Sequence, residues 1–127
     1  MFENLDIFKI SSAMAKHAGT RQAMISQNVA NADTPGYLAR DLPTFKSSYE
    51  MGGSVSLKAT RSGHLNGPEF VGHRVPFVKR TAASPNGNTV SIEQQMLKAT
   101  ETIRQHDRAL AIYKSALGVL RSSLGRR

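Results

Sequence analysis

In 127 residues, 17 Lys and Arg stand against 9 Asp and Glu, a net charge of +8, while aromatic residues make up only 6% and Trp is absent. That length gives one domain, 1–127, lean in the large side chains a self-sufficient core needs. The absence of Cys excludes disulfides and thiolate metal centres, and no apolar run reaches the ~18 residues of a membrane-spanning helix, so the chain is read as not membrane-inserted.

The first predicted element is a helix over 4–32. Asn4 is placed to cap it, its side-chain oxygen accepting from first-turn N–H groups. Ile7, Ile10, Met14, His17, Arg21, Met24, Asn28 and Asn31 follow alternating three- and four-residue steps, with Ala18, Ile25, Val29 and Ala32 beside them. Such a helix is on the order of 40 Å long. Its polar face is small and lightly charged, with Ser11, Ser12, Thr20, Gln22, Ser26 and Gln27. A solitary surface helix more often carries Glu and Lys there, so this face suits contact with neighbours.

The helix ends in Asn28-Val-Ala-Asn31-Ala-Asp-Thr34-Pro35-Gly36-Tyr37. Asn28 and Asn31 are three apart and share a face. Asn favours caps and turns over helix interiors, so two on one face need partners. Pro35 pushes Thr34 out of the helical region, and Pro35-Gly36 fits the centre of a type II turn, where the second residue takes a positive φ. On these residues alone the segment reads equally as an ordinary helix stop or as a polar lock.

A connector follows, 33–90 with the turn motif included. It carries Gly52-Gly53, Gly67-Pro68 and Ser84-Pro85-Asn86-Gly87, all turn chemistry. Val55, Leu57 and Ala59 alternate with polar residues as in a short strand, and Val75-Pro76-Phe77-Val78 reads as at best an edge strand, since Pro removes a ladder donor. The connector is expected to be a β-containing, partly disordered arm.

The last element is a helix over 91–124. Ser91 with Gln94 matches a capping box, and Gly125 with Arg126 and Arg127 ends the helix, the cations favourable at its negative pole. Ile92, Met96, Ala99, Ile103, His106, Leu110, Tyr113, Leu117, Leu120 and Leu124 run in unbroken four- and three-residue steps. A repeat of 3.5 residues keeps one seam on a partner helix, so this row is the expected packing seam, with Ile7, Ile10, Met14 and Met24 opposite. The expected fold is mainly α: two long terminal helices pairing as an antiparallel coiled-coil-like hairpin. So thin a hairpin does not offset the roughly 1–2 kcal/mol per residue of backbone ordering, and it is expected to fold fully only on assembly.

The Asn28–Tyr37 segment resembles the Asn-x-x-Asn-x-x-Thr-x-Gly-Tyr element of bacterial flagellar axial proteins, with Asn28, Asn31, Thr34, Pro35, Gly36 and Tyr37 as the assembly motif. The C-terminal stretch Gly87-Asn88, Val90 and Met96 with its long helix resembles that family's other end. Short length and both end motifs together resemble the flagellar basal body rod proteins. Where that family's C-terminal element has an acidic residue, an Asn and an aromatic, this chain has Asn86, Thr102 and His106. The resemblance implies a non-enzymatic subunit of the proximal, periplasmic rod that polymerises and transmits torque from the membrane ring to the distal rod and hook. Its implied partners are copies of itself, other rod proteins, the rod–MS ring adaptor and the export gate. Its implied route is the flagellar type III apparatus, in keeping with an N-terminus that lacks the basic and apolar regions of a cleaved signal.

Nothing in the residues suggests catalysis. There is no phosphate-binding loop, nucleophile elbow or paired-histidine zinc motif, and His17, His64, His73 and His106 lack ligand spacing. No catalytic, metal or cofactor residue is expected, and no small-molecule substrate. Residues 1–40 hold 4 basic and 3 acidic side chains, 41–88 hold 6 and 3, and 89–127 hold 7 and 3, so the excess charge is spread rather than gathered into a nucleic-acid-binding stripe. A small basic helical nucleic-acid-binding protein and a cytosolic coiled-coil adaptor are the alternative readings; no nucleic acid is expected as a partner on the leading one.

Overall fold

A computed structural model describes residues 3–51, 76–78 and 84–125. Its elements are α1 (Glu3–Ala30), β1 (Arg40–Asp41), α2 (Phe45–Met51), β2 (Phe77–Val78) and α3 (Ile92–Ser123). The protein is mainly helical, with α1 and α3 in contact along their lengths. They run antiparallel: the Asn28 amide near the end of α1 donates to Gln95 Oε1 at the start of α3 (3.2 Å), and Phe8 meets Tyr113 edge-on with ring centroids 5.2 Å apart.

Local chemistry sets the helix ends. α1 already begins at Glu3, so Asn4 lies inside its first turn and not ahead of it. It stops at Ala30, where the backbone tightens: Asn31 N–H reaches both Gln27 and Asn28 carbonyls, and Ala32 N–H reaches Val29. The turn then closes from Tyr37 N–H to Thr34 O at 3.3 Å, with Gly36 at φ 71° in the second central position. That is the positive φ a type II turn requires. Ser91 caps α3, its hydroxyl accepting from Gln94 N–H at 3.4 Å. Leu124 and then Gly125, at φ 84°, finish the helix.

β1 and β2 form a two-stranded antiparallel ladder, Arg40 opposite Val78 and Asp41 opposite Phe77. The strand follows Pro76, so the missing N–H falls outside the ladder, as edge position requires. The possible strand at Val55–Ala59, the cations Arg126 and Arg127, and the question of order in most of the connector lie outside the described residues.

The helix–helix contact runs beside the expected seam. The residues that α3 buries are Gln95, Thr102 and Ala109, each one position before Met96, Ile103 and Leu110. Those three are 64%, 52% and 41% exposed, and Ile92, Tyr113 and Leu124 are exposed as well. Of the seam, only Ala99, His106, Leu117 and Leu120 are half-buried. On α1, Ile7 is exposed and Ile10, Met14 and Met24 are half-buried, whereas Ser11, His17, Ala18, Ile25 and Asn28 are buried.

The physical reason is size. Ser11, Ala18, Thr102 and Ala109 let two backbones approach closely, and the hydroxyls cost little because each donates to its own helix, Ser11 to Phe8 O and Thr102 to Lys98 O. The hairpin is therefore closed largely by small and polar side chains, with Ile25 among them, while Met96, Ile103 and Leu110 point outward.

Candidate assembly site

Three polar arrangements gather where the end of α1, the turn after it and the approach to α3 meet. The first is built on Asn28, 1% exposed. Its amide nitrogen donates to Arg40 O (2.7 Å) and Gln95 Oε1, and its oxygen accepts from Arg40 N–H (3.1 Å) and, at 3.4 Å, from Tyr37 Oη. One side chain thus occupies both backbone groups of Arg40, as a neighbouring strand would, and joins α1, β1 and α3. A buried Asn that satisfies all its groups resolves the cost that the sequence flagged.

The side chains of Asn31 and Asn28 do not bond each other; Asn31 reaches Asn28 only through its backbone N–H, at 3.2 Å from the Asn28 carbonyl. Its amide donates back to Gln27 O at 2.8 Å, and its oxygen accepts from the Thr34 hydroxyl at 3.3 Å. This local capping supports the Pro35-Gly36 turn, which itself stays exposed. The two Asn residues therefore act separately, one between elements and one within the turn.

The second arrangement centres on Asn88, which the sequence reading placed in a turn without assigning it a role. It is 2% exposed. Its amide nitrogen lies 2.9, 2.7 and 2.8 Å from the carbonyls of Asn31, Ala32 and Thr34, and its oxygen accepts from Val90 N–H at 2.7 Å. Helix ends leave carbonyls without intrahelical partners. Those of Gln27, Asn28 and Val29 are met by the tightened backbone, and the three carbonyls of the turn just beyond α1 are met by an amide from more than fifty residues away, two hydrogens shared among three oxygens.

Backbone bonds tie the same ends together. Gly36 N–H donates to Asn86 O, Thr89 N–H to Tyr37 O, and Ala39 N–H to the Thr89 hydroxyl. The two turns touch: a Cβ on Gly87, at φ 79°, would stand 3.4 Å from Gly36 Cα.

The third arrangement is ionic. Lys98 Nζ lies 2.7 Å from Asp41 Oδ2 and Arg21 Nε lies 3.3 Å from Asp41 Oδ1, with all three side chains at most 15% exposed. Leu42 N–H donates to Asp41 Oδ1 as well. Burial alone raises the Asp41 carboxyl, but the Lys98 hydrogen bond, the charges of Arg21 and Lys98, and the Leu42 N–H outweigh it, holding its pKa below 3.8. β1 is thereby clamped to both long helices. Arg21 was legible as a cation inside the α1 stripe, and such a cation implies a nearby anion; nothing in sequence spacing pointed to Asp41 or Lys98.

Beside the clamp, His17 Nε2 donates to Pro43 O at 2.9 Å, and its ring meets Phe45 edge-on at 5.7 Å, which seats α2 on α1. Among the described residues no three His, Asp or Glu side chains converge as a metal site would need. No helix there is long and apolar enough to cross a membrane. The arrangement joins chain ends and presents surface.

Comparison with known proteins agrees with the sequence resemblance. A family model described as "Flagella basal body rod protein" matches residues 11–37, the stretch from Ser11 through the Asn28 contacts to Tyr37. Flagellar basal body rod protein FlgB of Salmonella typhimurium is 31% identical over 107 residues, covering 76% of this chain and 77% of that one. FlgB of Agrobacterium fabrum is 26% identical over 117 residues, 87% of each chain, and FlgB of Buchnera aphidicola is 28% identical over 126 residues, 92% of this chain and 93% of that one. The chain belongs to the flagellar basal body rod protein family, as an FlgB-like structural subunit and not an enzyme.

Proposed function

We propose that this subunit sits in the proximal part of the rod and polymerises through α1 and α3, so that torque from the membrane ring passes through its helices to the distal rod and hook. The observation that carries this reading is the identity with FlgB across most of the chain. The exposed apolar row on α3 supports it, because a helix that leaves Met96, Ile103 and Leu110 in water has surface to bury against neighbours. Head-to-tail contacts of that kind extend into a helical tube. The polar arrangements act inside each subunit, setting the angle at which the arm after Tyr37 leaves α1.

On the same reading the neighbours are copies of the chain, other rod proteins, the rod–MS ring adaptor and the export gate. The route is the flagellar type III apparatus, reached by a chain that gains most of its order on arrival. The test is complementation. In a flagellated bacterium lacking its own FlgB, expression of this chain restores rods and swimming. Rods that form normally without the chain, or a chain found only in the cytoplasm beside unfinished basal bodies, would contradict it.

A further inference from the structure

The sequence holds two Asn-Gly pairs, Asn66-Gly67 outside the described residues and Asn86-Gly87 in the turn that meets the end of α1. Asn-Gly is a dipeptide especially open to spontaneous loss of the side-chain amide. With no Cβ on the glycine, its backbone nitrogen can reach the asparagine Cγ. After giving its proton to base, that nitrogen attacks Cγ, ammonia leaves, and a five-membered succinimide closes. Water then opens the ring at one of two bonds. Breaking the bond from nitrogen to Cγ yields aspartate. Breaking the bond from nitrogen to the backbone carbonyl carbon yields isoaspartate, whose main chain runs through the side chain and is one carbon longer.

The fold holds the second pair where this ring does not close. Pro85 and Asn86 are the central residues of a turn closed by Gly87 N–H to Ser84 O at 2.8 Å. Asn86 has no positive φ, so the turn is type I, with the Asn86 ψ at about 0°. Attack on Cγ needs the Gly87 nitrogen swung round beside the Asn86 Cβ. Both sides of the 86–87 peptide resist that rotation. Its N–H is held by Ser84 O, and its carbonyl accepts from Gly36 N–H at 3.0 Å. The group under attack is held too, Asn86 Oδ1 accepting from Asn88 N–H at 3.0 Å. Asn86 and Gly87 are exposed, so base and water reach them, and these hydrogen bonds rather than burial are what the reaction has to break.

We propose that Asn86 is a modification site that loses its amide while the chain is unfolded and is protected once the turn closes, and that only one of the two products lets the turn form. Aspartate keeps an oxygen for Asn88 N–H, and among the described residues the Asn86 amide nitrogen has no partner to lose. Isoaspartate adds a carbon between the Asn86 Cα and the Gly87 nitrogen. That displaces Asn88, whose amide closes the turn beyond α1 only by lying within 2.9 Å of the carbonyls of Asn31, Ala32 and Thr34. None of this depends on what the subunit assembles with.

Each conversion exchanges NH2 for OH, and trypsin cuts between the two pairs at Arg74 and Arg80, so peptide mass mapping reads each pair separately. The full-length chain is aged in warm, mildly alkaline buffer. In urea, Asn86 should convert at a rate similar to Asn66. Without urea, at a concentration where the chain is helical, Asn86 should convert at least tenfold more slowly, because reaction then waits on local opening. No conversion of Asn86 in urea would overturn the site, and equal rates with and without urea would overturn its protection. The products are compared in an Asn66→Gln chain, which lacks the other pair. After ageing in urea and refolding, its isoaspartate fraction should show a lower urea midpoint than the unaged chain, and Asn86→Asp in the same background should keep the unaged midpoint. An isoaspartate fraction as stable as the unaged chain, or an Asn86→Asp chain as unstable as that fraction, would overturn the difference between the products.

Discussion

Asn88→Asp is expected to be more destabilising than Asn88→Ala, although Asp is nearly the same shape. Alanine removes the amide that the carbonyls of Asn31, Ala32 and Thr34 share, a loss of about 1–3 kcal/mol. Aspartate does that and also sets a carboxylate oxygen against three carbonyl oxygens now held within 2.7–2.9 Å of the amide. Both variants should shift the urea midpoint of the far-UV circular dichroism signal, at a concentration where the chain is helical, with Asp shifting it further. If the two shift it equally, the amide is not the group that closes the end of α1.

The second large effect belongs to Asp41. Asp41→Asn removes the anion that Arg21 and Lys98 share and leaves two cations mostly buried without a partner. Breaking a buried pair from one side costs about 3–5 kcal/mol. The lower end is expected here, because an Asn oxygen still accepts from Leu42 N–H. The same group sets a pH dependence. Its folded pKa lies below 3.8, so its contribution is fully present above the pKa of the unfolded chain and is lost as pH falls through the folded value. Stability of the wild type should therefore drop below about pH 4 with a slope that Asp41→Asn flattens. An unchanged acid limb in the variant would mean that other carboxylates carry the transition.

The two long helices were legible because their signals are local and periodic. Ser91 and Gln94 mark the start of α3, the 3.5-residue repeat marks its length, and Thr34-Pro35-Gly36-Tyr37 dictates the turn after α1 through the proline ring and the glycine φ. Which row closes the hairpin was not legible. The repeat through Met96, Ile103 and Leu110 is the strongest hydrophobic signal in the chain, yet α1 rests on Gln95, Thr102 and Ala109. Periodicity says that a row wants a partner and is silent on whether that partner is in the same chain. Small residues, which set how near two helices can come, hardly register as a hydrophobic pattern.

The polar residues divide in a similar way. Asn28 was visible because Asn inside a helix stripe is costly without partners, and the structure supplies them in Arg40, Gln95 and Tyr37. Asn88 and Asp41 were not, since each lies in a loop or short strand where Asn and Asp are commonplace. Their partners are 57 residues away in Asn31 and Lys98, respectively, a separation that no local rule reaches.

These observations make one account. Polar side chains fix the ends of the hairpin, small side chains bring its helices together, and the apolar row of Met96, Ile103 and Leu110 is left for neighbours. The measurement that tests this most directly is rod formation by a Met96→Gln, Ile103→Gln, Leu110→Gln triple variant in a strain lacking its own FlgB. Leu97→Gln serves as the control, since Leu97 is 63% exposed but lies on a different row. The triple variant should accumulate to the wild-type level, because none of its changed residues is buried in the hairpin, yet give no rods and no swimming. The control should swim normally. Rods and full swimming from the triple variant would contradict the claim that the outward row is what the subunit assembles with.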